Sequence, residues 1–235
     1  GAHAAGDAAA CSATNAYRVS AGEVWVAADG SATPPYDTAQ RGARTLAAAV
    51  RHARPGMVVM VAPGVYRERQ VRIGPQIRVQ SVAGAEHTAI DAGGRAGPCV
   101  ILAGAGAVLE GFTLRGAVTP GDGGGARMYA GSSLIGCIVR DNRAYHYGGG
   151  VYSENGGSIS NCVIIGNEGW RAGGGVMCNG GGLVTDSVIS HNRTHRRYGD
   201  GGGAVLIGAA RLLRARVTHN RATLSGGGVW CSDGV

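Results

Sequence analysis

Apolar residues recur along the second half of the chain with a period of about 25 residues. Three columns carry the pattern, two apolar and one of small residues: Leu134, Ile159, Val184 and Leu212; Val139, Ile164, Ile189 and Val217; and Cys137, Cys162, Ser187 and Ala215. The last two columns lie two residues apart, which is the spacing for one face of a β-strand. A fixed period of this length indicates a solenoid whose successive coils bury the same positions. The pattern therefore predicts a β-helix.

Glycine and asparagine keep the same period. Glycine suits the positive φ of tight corners, and asparagine tolerates that region and bonds to nearby backbone. The triple glycines have no phosphate-binding sequence context, and we interpret them as corners. They begin at Gly123, Gly148, Gly173, Gly201 and Gly226. The asparagines are predicted to form a structural turn ladder from coil to coil, made of Asn142, Asn167, Asn192 and Asn220.

The chain ahead of the repeats is predicted to cap the coil. Residues 45–53 carry apolar positions at helical spacing, and Pro55-Gly56 ends the pattern. Such a helix would cover the first coil, whose open edge would otherwise invite unwanted pairing. Residues 28–31 indicate a turn.

The predicted organisation is a leader followed by a single domain. The leader lacks any periodic signal, and we expect it to be flexible or to dock elsewhere as an arm. The predicted boundaries are 1–16 for the leader, 17–235 for the β-helix domain, 17–57 for its cap region and 58–235 for its coils, with regular repeats from about residue 109.

Two segments resemble known families. Residues 45–68, with Val61-Ala62-Pro63-Gly64-Val65-Tyr66, resemble the opening module of right-handed parallel β-helix proteins of the pectate-lyase-like superfamily. The unit that contains 163–167 and 173–176 is similar to repeats of bacterial polymorphic outer-membrane and adhesin-like proteins. The resemblance implies an all-β, right-handed parallel β-helix with an N-terminal capping helix. It leaves function open, because this superfamily includes lyases, hydrolases, esterases, adhesins and structural coils.

Composition and charge add a partner class. The net charge is +7, and all 22 lysine-plus-arginine positions are arginine. A genome rich in G and C would explain that bias without any function, but guanidinium groups also match carboxylates and phosphates well. The basic charge permits acidic polysaccharide, cell-surface or nucleic-acid partners without choosing among them. We take acidic polysaccharide as a candidate partner and expect no nucleic acid.

The six cysteines do not form a zinc motif. Cys137 and Cys162 occupy one inward column on successive coils, roughly 4.8 Å apart by strand spacing. That separation would permit a disulfide, although stacked buried thiols are the simpler interpretation. Pairing between Cys11 and Cys99 stays open.

No apolar run approaches the roughly 20 residues that span a membrane. The chain begins at Gly1 with an alanine-rich stretch, which fits signal cleavage or a cloning scar. We expect a secreted or cell-surface protein, mainly on architecture.

The acidic residues of the repeat region do not share one repeat column, whereas glycoside hydrolysis needs two carboxylates. These residues are Asp122, Asp141, Glu154, Glu168, Asp186, Asp200 and Asp233. Calcium needs six to eight oxygen ligands, and each glycine-flanked turn offers one carboxylate, so calcium is a minor alternative to no cofactor. Whether the protein is an enzyme stays open, with no catalytic residue assigned and a non-catalytic role preferred.

The segments between each asparagine and the next triple glycine hold all nine candidate contact residues. The period places these segments on one edge, where aromatic and arginine side chains could stack sugar rings, hold acidic groups or pack against a protein. An ordinary solvated edge is the alternative. The candidates are Tyr145, His146, Tyr147, Trp170, Arg171, His195, Arg196, Arg197 and Tyr198.

The repeat pattern stops at Val235 without the next inward strand or asparagine. A bare coil end normally requires a cap, so we expect further coils or end-to-end self-association into a filament. The preferred function is a non-catalytic extracellular adhesive or structural β-helix. The alternative is a lyase- or hydrolase-like enzyme acting on acidic glycans.

Overall fold

The computed structural model describes residues 22–31, 33–195 and 199–232. Within those ranges the chain forms one helix, α1 (Leu46–His52), and 26 strands. The strands, in chain order, are β1 (Glu23–Ser31), β2 (Val58–Val61), β3 (Gly64–Tyr66), β4 (Val71–Ile73), β5 (Arg78–Ser81), β6 (Thr88–Asp91), β7 (Val100–Leu102), β8 (Val108–Glu110), β9 (Thr113–Arg115), β10 (Val118–Thr119), β11 (Ala126–Tyr129), β12 (Ser132–Ile135), β13 (Ile138–Arg140), β14 (Arg143–Ala144), β15 (Val151–Glu154), β16 (Gly157–Ser160), β17 (Val163–Ile165), β18 (Glu168–Gly169), β19 (Val176–Asn179), β20 (Leu183–Thr185), β21 (Val188–Ser190), β22 (Arg193–Thr194), β23 (Ala204–Ile207), β24 (Arg211–Leu213), β25 (Arg216–Thr218) and β26 (Val229–Ser232).

The strands pair in parallel into four sheets that wind around one core. Sheet I contains β1, β2, β5, β8, β12, β16, β20 and β24, and sheet II contains β3, β6, β9, β13, β17, β21 and β25. Sheet III contains β4, β7, β11, β15, β19, β23 and β26, and sheet IV contains β10, β14, β18 and β22. In the regular region each coil visits sheets I, II, IV and III in turn. The predicted all-β parallel coil is confirmed.

The register of the sheets follows the sequence period. In sheet I, Leu134 lies beside Leu109 on one side and Ile159 on the other, and all three side chains are buried. In this sheet the step is 25 residues from Leu109 to Val184 and 28 residues from there to Leu212. Earlier coils differ in length, since Val79 pairs with Val59 and Leu109. The buried columns form one continuous apolar core.

Helix α1 lies close to the first strands of the coil. Thr45 is its N-cap, and Leu46, Ala49 and Val50 are buried in the core cluster. The two Glu68 carboxylate oxygens accept hydrogen bonds from the backbone N–H groups of Leu46 and Ala47, at 2.7 and 2.9 Å. The carboxylate thus satisfies two N–H groups that the first helical turn leaves unpaired. The predicted helix over 45–53 is confirmed, with its two outer residues acting as caps.

The turn predicted at residues 28–31 is wrong, because these residues lie within β1. A Cβ atom on Gly30 would lie 1.9 Å from the carbonyl oxygen of Gly42. Glycine is required there by close approach of the backbone and not by a turn. The predicted leader at 1–16 lies outside the described residues.

The four buried cysteines of the described chain, Cys99, Cys137, Cys162 and Cys178, are free thiols, as is the exposed Cys231. The Cys162 sulfur accepts a hydrogen bond from the Cys137 backbone N–H at 3.4 Å. The stacked-thiol interpretation of this pair therefore holds. Cys11, the other half of the second candidate pair, lies outside the described residues.

The triple glycines serve two different needs. The first glycine of each has positive φ, for example 61° at Gly148. The second has no room for a side chain, because a Cβ atom on Gly149 would lie 2.4 Å from the Gly174 oxygen of the next coil. The corner prediction therefore holds for the first position, and close coil-to-coil approach explains the second.

A buried asparagine ladder follows sheet II. Asn167 Oδ1 accepts hydrogen bonds from the backbone N–H and the Nδ2 of Asn142, both at 3.1 Å. Asn167 Nδ2 donates to Val139 O at 2.8 Å and to Asn192 Oδ1 at 3.0 Å. Asn220 extends the same pattern at the next coil. These amides pair buried backbone groups that the corner would otherwise leave unsatisfied.

Candidate functional site

The outer face of sheet IV carries two neighbouring columns of functional side chains. Three of its four strands, β14, β18 and β22, begin directly after a ladder asparagine, and the inward Ala144 and Thr194 are buried. Arg143 pairs in register with Glu168, and Glu168 pairs with Arg193. Two residues further along each coil lie Tyr145, Trp170 and His195. We call these six residues the sheet IV face.

Glu168 occupies the centre of the charged column. Its Oε2 accepts hydrogen bonds from Arg143 Nη2 and Arg193 Nη2, both at 3.0 Å. Its Oε1 has no hydrogen-bond donor in the described part of the chain and lies 3.7 Å from His195 Nε2. Burial raises the pKa of Glu168, but the two arginines together outweigh burial and hold that pKa below its ordinary value. Glu168 is therefore an ionised carboxylate at neutral pH.

The second column consists of three rings, each in contact with the next. Tyr145 meets Trp170 edge to face, with ring centroids 4.3 Å apart. Trp170 stacks on the imidazole of His195 at 5.4 Å and an interplanar angle of 17°. The side chain of His195 is 57% exposed. The stack therefore presents ring surface to solvent directly beside the arginines.

The other predicted contact residues do not join this face. His146, Tyr147 and Arg171 follow at the next corner, where the Arg171 guanidinium lies 6.0 Å from the Tyr147 ring centroid. Tyr147 packs against a small apolar cluster on the outer side of sheet III that includes Tyr152 and Met177. The predicted single edge is thus two surfaces. Arg196, Arg197 and Tyr198 lie outside the described residues.

Two grooves border the sheet IV face. One, of about 410 Å³, is lined by Arg143, Glu168 and Arg193 together with Asp141 and Gly166 at the preceding corner. The other, of about 360 Å³, is lined by Arg193, Thr194, His195, Arg221 and Thr223. The first groove is open partly because two of its lining residues, Gly116 and Gly166, have no side chain to fill it.

A family model for the right handed beta helix region matches residues 82–235 of this chain. The chain belongs to the right-handed β-helix family. No curated protein and no solved structure matches this right-handed β-helix. Its fold and its membership of the family are therefore established, and its function must be argued from the site itself.

The right-handed β-helix offers few groups for proton transfer at this face. Asp141 and Glu168 are the two carboxylates of the 410 Å³ groove, and Asp141 Oδ2 accepts a hydrogen bond from Arg140 at 2.7 Å. Glu168 is paired with two arginines, so it cannot act as a proton donor at neutral pH. The arrangement is better suited to holding an acidic ligand.

The glycine-flanked aspartates have backbone partners. Asp122 Oδ1 accepts a hydrogen bond from the Tyr147 N–H at 3.3 Å, and Asp200 Oδ1 accepts one from the Ser225 N–H at 3.1 Å. In the ranges that the structure covers, no three histidine, cysteine or acidic residues are close enough to hold a metal ion. That the protein has no cofactor stays a prediction, which titration with calcium would test. No helix in the described chain is long and apolar enough to cross a membrane.

Sequence reasoning missed the charged column. Arg143, Glu168, Arg193 and Arg221 were visible as the residues directly after each asparagine, so the same period could have identified them. The alternating charge of the first three was the signal, because residues at equal positions on adjacent coils become direct neighbours in a parallel sheet.

Proposed function

We propose that this right-handed β-helix is a non-catalytic extracellular or cell-surface protein whose sheet IV face binds an acidic polysaccharide. The observation that supports this most is the aromatic stack of Tyr145, Trp170 and His195 directly beside Arg143 and Arg193. Aromatic rings offer an apolar face for a sugar ring, and guanidinium groups make strong bonds to acidic groups. Because both columns repeat along the coil axis, a linear polymer lying along that axis would meet similar groups in succession.

The charge of the face supports the choice of an acidic ligand. Arg143 and Arg193 outnumber Glu168, so the column retains a positive charge after its internal ion pairs form. The Arg193 side chain is 60% exposed and keeps N–H donors for a ligand.

The test is polysaccharide binding by wild type and Trp170→Ala, measured by affinity electrophoresis and isothermal titration calorimetry. We expect binding to an acidic polysaccharide at low ionic strength, weakened about tenfold or more in the variant because a central aromatic contact carries much of the binding energy. Trp230→Ala is the matched control, because Trp230 lies on the outer side of sheet III, away from the sheet IV face. Failure of the wild type to bind any acidic polysaccharide, or equal losses in the two variants, would count against the proposal.

A polysaccharide-active enzyme is the second candidate, favoured by one observation. Asp141 and Glu168 line the same groove, although the sequence does not put them in one column. Two carboxylates are the minimum for glycoside hydrolysis. Release of reducing ends or unsaturated products from acidic polysaccharides, lost in Asp141→Asn and Glu168→Gln, would establish it in place of the binding role.

We also propose that coils of this kind associate end to end, as a filament or as part of a longer solenoid. Support comes from the buried columns, which repeat with an unchanged register and so provide the same apolar surface at each level. A contact of this type that does not close produces a fibre. Negative-stain electron microscopy should show elongated particles, and uniform short monomers of the full-length protein would contradict the idea.

A further inference from the structure

The charged column of sheet IV changes its pattern at Arg221. Arg143, Glu168 and Arg193 alternate in sign from coil to coil. Arg221 then lies directly opposite Arg193 through an isolated parallel bridge, where alternation would call for a carboxylate. Like charges that face each other across strands are destabilising. No acidic side chain of the described residues forms an ion pair with Arg221.

A groove opens at this same point. It has a volume of about 360 Å³ and is lined by Arg193, Thr194, His195, Arg221 and Thr223. Among the described residues the aromatic column also ends here, because the position one coil after His195 is occupied by Thr223, which is too small to cover the imidazole. Space, two guanidinium groups and an imidazole therefore coincide between two neighbouring coils.

We infer that this groove binds a sulfate ester on the polysaccharide, a more specific role that rests on the proposed function. The ester would bind in front of Arg193 and Arg221, which lie on adjacent coils, and would accept hydrogen bonds from both guanidinium groups. Its negative charge would offset the repulsion between these two facing arginines. The sugar that carries it would lie against the exposed ring of His195.

Charge and geometry distinguish a sulfate ester from other acidic groups. Arg193 is already paired with Glu168, so one positive charge of the two facing arginines is left to be matched. A sulfate ester carries a single negative charge, whereas a phosphate monoester carries about −1.5 to −2 at neutral pH. A carboxylate has only two oxygens, and the Glu168 carboxylate shows that two arginines can share one of them. A sulfate ester has three terminal oxygens, one for each of the three donor groups that line the groove from two coils and two columns.

The experiment compares dextrans that share one backbone. Sulfated, carboxymethylated, phosphorylated and unmodified dextran of similar charge density would be titrated calorimetrically into the full chain at one ionic strength, because exposed charges are strongly screened. We expect sulfated dextran to bind about tenfold tighter than the carboxymethylated form. Inorganic sulfate should compete with it better than chloride at equal ionic strength.

Two arginine variants locate the site. Arg221→Gln should abolish the preference for sulfated dextran. Arg211→Gln, which removes an exposed arginine from sheet I on the same coil, should retain it. Arg221→Lys keeps the charge without the planar fork, and we expect a partial loss.

Each outcome separates the two proposals. Equal affinity for sulfated and carboxymethylated dextran, tighter binding of the phosphorylated form, or equal effects of the Arg221 and Arg211 variants would overturn the sulfate assignment. Those results would leave polysaccharide binding intact if Trp170→Ala still weakened it. If sulfated dextran does not bind, the sulfate site is refuted, and the acidic-polysaccharide proposal then depends on the wider panel described above.

Discussion

Replacing Asn167 with alanine tests the hydrogen-bond ladder that holds successive coils together. The substitution removes the acceptor of the Asn142 backbone N–H, at 3.1 Å, and the Nδ2 donor to Val139 O, at 2.8 Å. Some neighbours keep partners, since Asn142 Nδ2 still donates to Leu114 O and the Asn192 Oδ1 still accepts from the backbone N–H of residue 167. Two buried backbone groups, the Asn142 N–H and the Val139 carbonyl, each lose a hydrogen bond to this side chain. At about 1–3 kcal/mol each, we expect the free energy of unfolding to fall by about 4 kcal/mol.

The assay is urea unfolding followed by far-UV circular dichroism, with Asn161→Gly as the matched control. Asn161 is an exposed corner asparagine with φ of 53°, a conformation that glycine adopts freely. The control should change the free energy of unfolding by less than about 0.5 kcal/mol. A loss below about 1 kcal/mol in Asn167→Ala, or equal effects in the two variants, would refute the view that the buried amides stabilise the coil.

Three further predictions concern the corners, the sheet IV face and the thiols. Gly174→Ala places a Cβ atom 2.4 Å from the Gly202 oxygen and should cost more than about 3 kcal/mol of unfolding free energy or prevent folding. Gly84→Ala, with φ of +80° and open space around it, should cost about 1 kcal/mol, and equal costs would contradict the close-approach argument. The folded-state pKa of Glu168 is lowered, so its stabilising contribution is present above the ordinary glutamate pKa and is lost as pH falls through the folded value. Thermal melts should therefore show a steeper acid-side loss in wild type than in Glu168→Gln, and parallel curves would argue against the ion pairs. Maleimide at mildly alkaline pH should label Cys231 before Cys178, because Cys231 is exposed and burial raises the pKa of Cys178 to about 12. Prompt labelling of Cys178, read by mass spectrometry, would contradict its burial.

The sequence was most informative where one coil repeats the one before it. In a parallel coil, the residue one period along the chain becomes the direct neighbour along the axis. The columns of Leu134 and Val139 and the spacing of the ladder asparagines could therefore be predicted, and the registers match them. The capping helix was predictable for a different reason, because its apolar spacing and its proline–glycine stop are local signals.

The candidate site was only partly predictable. The period placed Tyr145, Trp170 and His195 at equal positions on successive coils, and their rings are in contact. The period could not show that Tyr147, two residues after Tyr145, packs against the cluster on the outer side of sheet III. The direction of a side chain at a corner depends on the backbone there, and the period fixes only its level along the axis.

What the sequence alone determined is the translation from coil to coil, since the apolar, glycine and asparagine columns specify it directly. Tertiary structure decided which residues become neighbours when they do not occupy equal positions on successive coils. It brought Asp141 to the same groove as Glu168, and it put Gly30 in a strand against Gly42. Those relations depend on the shape of each corner and on the space that small residues leave. Such space is a property of packed neighbours from different parts of the chain, and no periodicity encodes it.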